Sequence, residues 1–155
     1  MNKTFIRLLA VFMAATPSVA NSSESWKIVL PDTPSPVENT AAKELQLHLQ
    51  KITGKDFPVV SEKDIPRKVT STIFVGKTSR SPDKKFAFDE ILIQSKKGNI
   101  FLTGHPRRGT LYAVYTFLQD IVGVRWWTPD EMFIPKKESL EIPRKLNISY
   151  SPKMI

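Results

Sequence analysis

The chain is 155 residues long and carries 23 Lys and Arg against 15 Asp and Glu, a formal charge of +8, with no cysteine. Those figures exclude a disulfide framework, a thiolate metal site and a thiol nucleophile, and they leave room for one domain with its own core. The positive balance does not point to nucleic acid. Its cations are dispersed as Lys63, Arg67 and Lys68, Lys84 and Lys85, Lys96 and Lys97, Lys136 and Lys137, Arg144 and Lys145, mostly beside Pro, Ser or Gly. Such charges are solvated loop charges rather than an electrostatic footprint, and no nucleic-acid partner is expected.

Residues 1–20 read as a signal peptide. Lys3 and Arg7 make a positive start, Leu8 to Ala15 an apolar run, and Ser18-Val19-Ala20 the small residues of a cleavage site. The run is too short to span a bilayer, so no stable membrane insertion is expected after cleavage. The mature chain is then exported, and the absence of cysteine suits a bacterial periplasm or cell surface.

From Ser25 the elements follow in order. SWKIVLP is a short apolar strand stopped by Pro31, and PDTPSP is a loop that cannot continue a ladder. Asn39 or Thr40 is a good cap for a helix running to Thr53, with Ala41, Leu45, Leu49 and Ile52 at helical spacing and Gly54 as the stop. His48 lies on that helix, but Ile52 stands where a second metal ligand is needed four residues on, so it is read as a boundary or surface histidine. FPVV is a short strand, SEKDIPRKVTS a polar connection, and TIFVG a continuous β-branched and aromatic run that belongs at the centre of a sheet. Gly76-Lys77-Thr78 lacks the earlier glycine and the following helix of a phosphate loop and is read as a strand-ending turn.

Phe88 to Gln94 and Ile100 to Thr103 form a hairpin around Lys96-Lys97-Gly98-Asn99, where Gly98 or Asn99 supplies the positive φ. Asp89 and Glu90, adjacent on that strand, leave opposite faces and cannot form a paired-carboxylate site. Asp130 and Glu131 meet the same objection. Gly104-His105-Pro106 then breaks the strand, and a helix follows from Arg108 to Val122 with the stripe Leu111, Val114, Tyr115, Leu118, Ile121 and Val122, stopped by Gly123.

Two features of this last stretch stand out. Arg107 and Arg108 sit at a helix N-terminus, where the macrodipole disfavours cations, so they are either fully hydrated or held by a carboxylate such as Glu90, Asp130 or Glu131. Trp126 and Trp127 are neighbours on a strand, so one packs under the helices while the other faces outward, against a second domain or a sugar. The seam against another domain is the preferred use.

AAKELQLHLQKITG, IFVG and RGTLYAVYTFLQDIVGVRWWTPDE resemble the N-terminal domain of family 67 α-glucuronidases and of related exported bacterial glycosidase-like proteins. The hairpin followed by RGTLYAVYTFLQ is also similar to domain 2 of family 20 β-hexosaminidases. The resemblance covers almost the whole mature chain, and its motifs are packing signatures. It implies a small α/β (α+β) sandwich over residues 21–146, a mixed, largely antiparallel sheet with two main helices packed on it, and a linker over 147–155 towards a catalytic (β/α)8 barrel. The implied role is accessory: bracing the barrel of an exported glycoside hydrolase that degrades polysaccharide. No catalytic, cofactor-binding or metal-binding residue is expected, and no cofactor. Arg108, Arg125, Trp126 and Trp127 are the candidate contacts to the barrel or to a poly- or oligosaccharide. The alternative is a free-standing carbohydrate-binding module in which Trp126 or Trp127 and Arg125 grip an acidic sugar.

Overall fold

The computed structural model describes residues 25–128 and 131–151. The signal peptide expected over 1–20, Asp130 and the end of the expected linker lie outside the described residues. The first strand, β1, is Lys27–Leu30, and after the proline loop comes α1, Pro36–Thr53. That helix starts four residues before the expected cap. Ser35 is the N-cap: its hydroxyl accepts from the Glu38 backbone N–H, while the Glu38 carboxylate accepts from the Ser35 N–H at 2.8 Å, a capping box with Pro36 in the first turn. Asn39 and Thr40 instead donate back to the carbonyls of Ser35 and Pro36. Gly54 ends the helix as expected, left-handed at φ 68°.

Strands β2 (Val59–Ser61), β3 (Thr72–Val75), β4 (Ile91–Lys96), β5 (Asn99–Gly104) and β8 (Asn147–Tyr150) join β1 in one sheet of order β2-β1-β3-β5-β4-β8. The sheet is mixed, but the balance differs from the largely antiparallel expectation. β2, β1, β3 and β5 run parallel, and only β4 and β8 are antiparallel to their neighbours. The parallel half arises because α1 carries the chain back between β1 and β2, the 62–71 connection between β2 and β3, and the antiparallel strand β4 between β3 and β5, so that each parallel strand starts again from the same end.

Alternation then sorts the side chains. Ile28, Ile73, Ile100, Leu102 and Ile93 face α1 and α2 in one large core, with Leu45, Leu49 and Ile52 from the first helix and Val114, Phe117 and Leu118 from the second. The opposite face holds a smaller cluster, Val29, Phe74 and Phe101, covered by Val60 of β2 and by Ile65 and Val69 from the polar connection. β3 is buried on both faces, as its apolar run predicts.

The β4–β5 hairpin closes through Lys97 and Gly98, both at positive φ (52° and 76°), the left-handed pair that a two-residue hairpin turn needs. β4 begins only at Ile91. Asp89 lies in the turn before it at φ 55°, so the expectation that Asp89 and Glu90 leave opposite faces of a strand does not hold. At the other end, β5 runs into α2 (Gly109–Thr116), whose last turns, Phe117–Val122, are π-helical before Gly123 at φ 101°. Gly104 and Gly109 face each other across this junction. A Cβ on Gly104 meets the Glu90 carbonyl oxygen at 2.5 Å and the Gly109 backbone at 2.6 Å, so only glycine lets the strand end, the helix start and the preceding turn meet.

After Gly123 comes a two-stranded ribbon, β6 (Arg125–Trp126) and β7 (Met132–Phe133). Residues 147–150 of the expected linker are β8, paired antiparallel with β4, so the domain extends to Tyr150. The reason is Ile148, which sits opposite Ile93 and packs on the main core.

Candidate functional site

Arg108 is the N-cap of α2, although its side chain makes no capping bond. Its guanidinium is instead clamped on Asp89, Nε to Oδ1 at 3.2 Å and Nη2 to Oδ2 at 2.5 Å, and lies over the rings of Phe88 and Tyr112. Of the two expected alternatives, hydration or a carboxylate partner, Arg108 takes the second, but the partner is neither Glu90 nor Glu131, and Asp130 is outside the described residues. Asp89 wins because its left-handed turn conformation swings it toward the helix start. Its hydrogen bond, and then its charge, pushes the Arg108 pKa up. Glu90 serves another cation: it accepts from Lys84 Nζ at 2.6 Å, from the Ala87 N–H at 2.8 Å and from Ser149 on β8. The bond from Lys84, followed by that from Ala87, holds its carboxyl below the usual range.

Arg125 does not stand free to grip an acidic sugar. Its Nη1 donates to the carbonyls of Gln119 and Val124, at 2.5 Å and 2.9 Å, where the last turn of the helix leaves acceptors without partners. The two tryptophans do diverge as alternation predicts. Trp126 is half-buried, edge-on to His48 at 5.8 Å and to Tyr115 at 5.5 Å, while Trp127 is 69% exposed and stacks beside Phe133 on the partner strand at 6.4 Å. Phe133 and Trp127 thus give the ribbon an apolar outer face with no cover among the described residues, and Met132, opposite Trp126, is exposed on its other side.

His48 is buried rather than at the boundary. Its Nδ1 is 2.8 Å from the Glu44 carbonyl, which accepts, so Nδ1 carries the proton and Nε2 is left with no hydrogen-bond partner among the described residues. Gly76-Lys77-Thr78 is the strand-ending turn expected of it, and the Lys77 N–H is taken by the Glu38 carboxylate at 2.9 Å. That carboxylate therefore fills the space beyond β3 where an α/β sheet often takes a ligand. Among the described residues no cluster of three or more His, Asp and Glu is placed to hold a metal ion.

The four candidate contact residues thus do not form one site, but Trp126 and the partner of Arg108 share one groove. This open cleft, about 480 Å³, runs beside α2 and is walled by Tyr112, Tyr115, Trp126 and Tyr150, with Asp89, Thr116 and Gln119 as its polar groups and Ile91 at its floor. Burial pushes the Tyr115 phenol up, and the neighbouring Glu44 carboxylate, which its hydroxyl meets, adds to this. Sequence reasoning assigned Tyr115 to the core stripe and did not single out Tyr112, Gln119 or Tyr150. The available signal was the spacing of Tyr112, Thr116 and Gln119, one face of a helix with no aliphatic residue on it.

No family model matches the sequence, and no curated protein matches it. Among solved structures the chain is similar in fold to part of a family GH115 4-O-methyl-α-glucuronidase with specificity for decorated arabinogalactans. The match has a TM-score of 0.54 and 20% identity, and covers 83% of this chain and 18% of that one. It is also similar to part of a GH138 enzyme targeting pectin rhamnogalacturonan II, with a TM-score of 0.53 and 13% identity over 84% of this chain and 12% of that one. At these identities the likeness is one of fold, and the chain spans less than a fifth of either enzyme.

Proposed function

We propose that the chain is a non-catalytic accessory domain of an exported glycoside hydrolase acting in polysaccharide degradation, placed before a (β/α)8 barrel that it braces. The observation that carries this reading is the lopsided coverage: more than four-fifths of this chain superposes on less than one-fifth of two glycoside hydrolases, so in both the fold is one part of a larger catalytic protein. The resemblance of RGTLYAVYTFLQDIVGVRWWTPDE to the N-terminal domain of family 67 α-glucuronidases supports the finer assignment. The plant polysaccharides in the names of the two enzymes suggest the same substrate class here. Export rests on the leader-like residues 1–20; among the described residues no helix is long and apolar enough to cross a membrane.

The site chemistry agrees with an accessory role. Glycosidic hydrolysis takes two carboxyl groups set across the scissile bond, one to give a proton and one to attack or to activate water. Asp89, the one carboxylate among the groove's lining residues, is held by Arg108, and its neighbour Glu90 by Lys84, so both serve the fold. The reading assigns the exposed ribbon residues Trp127 and Phe133 to the seam with the barrel, since an apolar patch that water would otherwise cover gains most from burial against a second domain. The purified 21–155 segment is expected to release no product from aryl glucuronides or aryl N-acetylglucosaminides. Turnover by this segment, lost on substituting a carboxylate within it, would overturn the proposal.

A further inference from the structure

We infer that the groove between α2, β8 and Trp126 is a binding site for a neutral glycan, distinct from the outward Trp127 and Phe133 face of the ribbon assigned to the domain seam. The inference takes the saccharide class of ligand from the accessory-domain reading; the neutrality and the place come from the groove itself. α2 packs over β4 and β5, which leaves β8 uncovered at the sheet edge, and the Tyr150 side chain there is 59% exposed. With Tyr112 and Tyr115 on the helix and Trp126 at the end, rings wall the cleft, the surface on which the C–H faces of a sugar ring stack.

Polar groups lie where a sugar's hydroxyls need them. The Asp89 carboxylate is buried and oriented by two donors of Arg108, so its remaining lone pairs are held in place at the groove floor. Thr116 and Gln119 follow on the helix face, and the Gln119 amide nitrogen points to Asp120 at 3.3 Å, which leaves its carbonyl oxygen to accept from a hydroxyl. Gln119 sits on the π-helical stretch Phe117–Val122, a rare geometry that recurs where a helix has been widened to present a functional side chain. A protein surface is the poorer occupant. It would leave these acceptors unpaired unless it matched each of them, whereas the apolar face of Trp127 and Phe133 carries no such cost.

Charge selects within the sugars. The lining residues include no Lys or Arg, and Arg108 beside it is already neutralised by Asp89. Glu44 stands behind Tyr115. A uronate entering the groove would meet the Asp89 and Glu44 carboxylates, while the cation beside it that has no carboxylate partner, Arg125, is turned onto the Gln119 and Val124 carbonyls and is not among the lining residues, so the groove favours an uncharged sugar, unlike the acidic ligand that the sequence alone suggested for Arg125.

The test is isothermal titration of the purified protein with galactotetraose, xylotetraose, arabinotetraose and chitotetraose, and with tetragalacturonic acid as the anionic counterpart. Saturable binding of at least one neutral tetraose is expected. Tyr150→Ala should weaken it about tenfold by loss of a stacking ring, and Gln119→Ala about threefold to tenfold by loss of a hydrogen bond. Both positions are surface ones, so folding is checked by melting temperature, and Leu47→Ala, an exposed change on α1, should leave binding unaltered. No saturable heat with any neutral tetraose up to about 10 mM, binding by Tyr150→Ala and Gln119→Ala as tight as that of the wild type, or tighter binding of tetragalacturonic acid than of every neutral tetraose would each overturn the inference. None of these outcomes touches the accessory-domain reading, which fails instead on hydrolysis by the segment itself.

Discussion

Arg108 stands where the dipole of α2 opposes a cation, and Asp89 is what makes the position tolerable. Arg108→Ala is therefore expected to lower the melting temperature more than Lys97→Ala, because it strands a buried carboxylate, whereas Lys97 and Ala are equally disfavoured in the left-handed turn. Equal melting temperatures for the two variants would count against the clamp. Glu90 gives a pH signature. Its folded pKa is depressed, chiefly by the Lys84 bond, so the stability it contributes is full above the unfolded carboxyl value and drains away as pH falls through the lower folded one. Melting curves of the wild type and Glu90→Gln should thus differ at neutral pH and converge in acid, and a gap that stays constant would contradict this linkage. That Arg108 is either hydrated or held by a carboxylate is legible from sequence; that Asp89 holds it is not, because a single positive φ at Asp89 moves it out of the strand.

The junction of β5, α2 and the turn at Glu90 depends on two glycines more than on any side chain. Gly104→Ala forces a Cβ into backbone atoms that cannot swing away, and a loss of about 3 kcal/mol or more is expected by denaturant titration. Gly54→Ala is the contrast: its Cβ would meet nothing within 4 Å, so only the left-handed strain remains, about 1–2 kcal/mol. Comparable losses at both positions would show that close approach is not what holds the junction. The spacing of Gly104 and Gly109 around RGTLYAV is visible in the sequence, but their mutual contact is not. Nor was the true start of α1, where Ser35 and Glu38 outcompete the later cap candidates because Pro36 is already set for a first helical turn.

At the scale of the molecule, one sheet face carries both helices, and the ribbon and the groove lie beside the end of α2 with different chemistry. The ribbon is apolar and outward. Trp127 and Phe133 stack on each other, so replacing both by serine should shift the stability of the chain by only about 0.5 kcal/mol, while abolishing the binding of a hydrophobic dye. A loss above about 2 kcal/mol would mean that these rings hold the domain itself together rather than a seam.

Local chemistry alone determined a mixed α/β chain with two amphipathic helices, a central TIFVG strand, a hairpin turning within Lys96-Lys97-Gly98-Asn99 and diverging tryptophans. Period, turn residues and alternation are properties of neighbours along the chain, and they survive folding. Tertiary structure decided the rest: the parallel half of the sheet, the use of residues 147–150 as an edge strand, the pairing of Arg108 with Asp89, the engagement of Arg125 with helix carbonyls, and the groove that gathers Tyr112, Gln119, Trp126 and Tyr150. Each of these depends on residues distant in sequence meeting through burial or a single backbone angle, and no periodicity encodes that meeting.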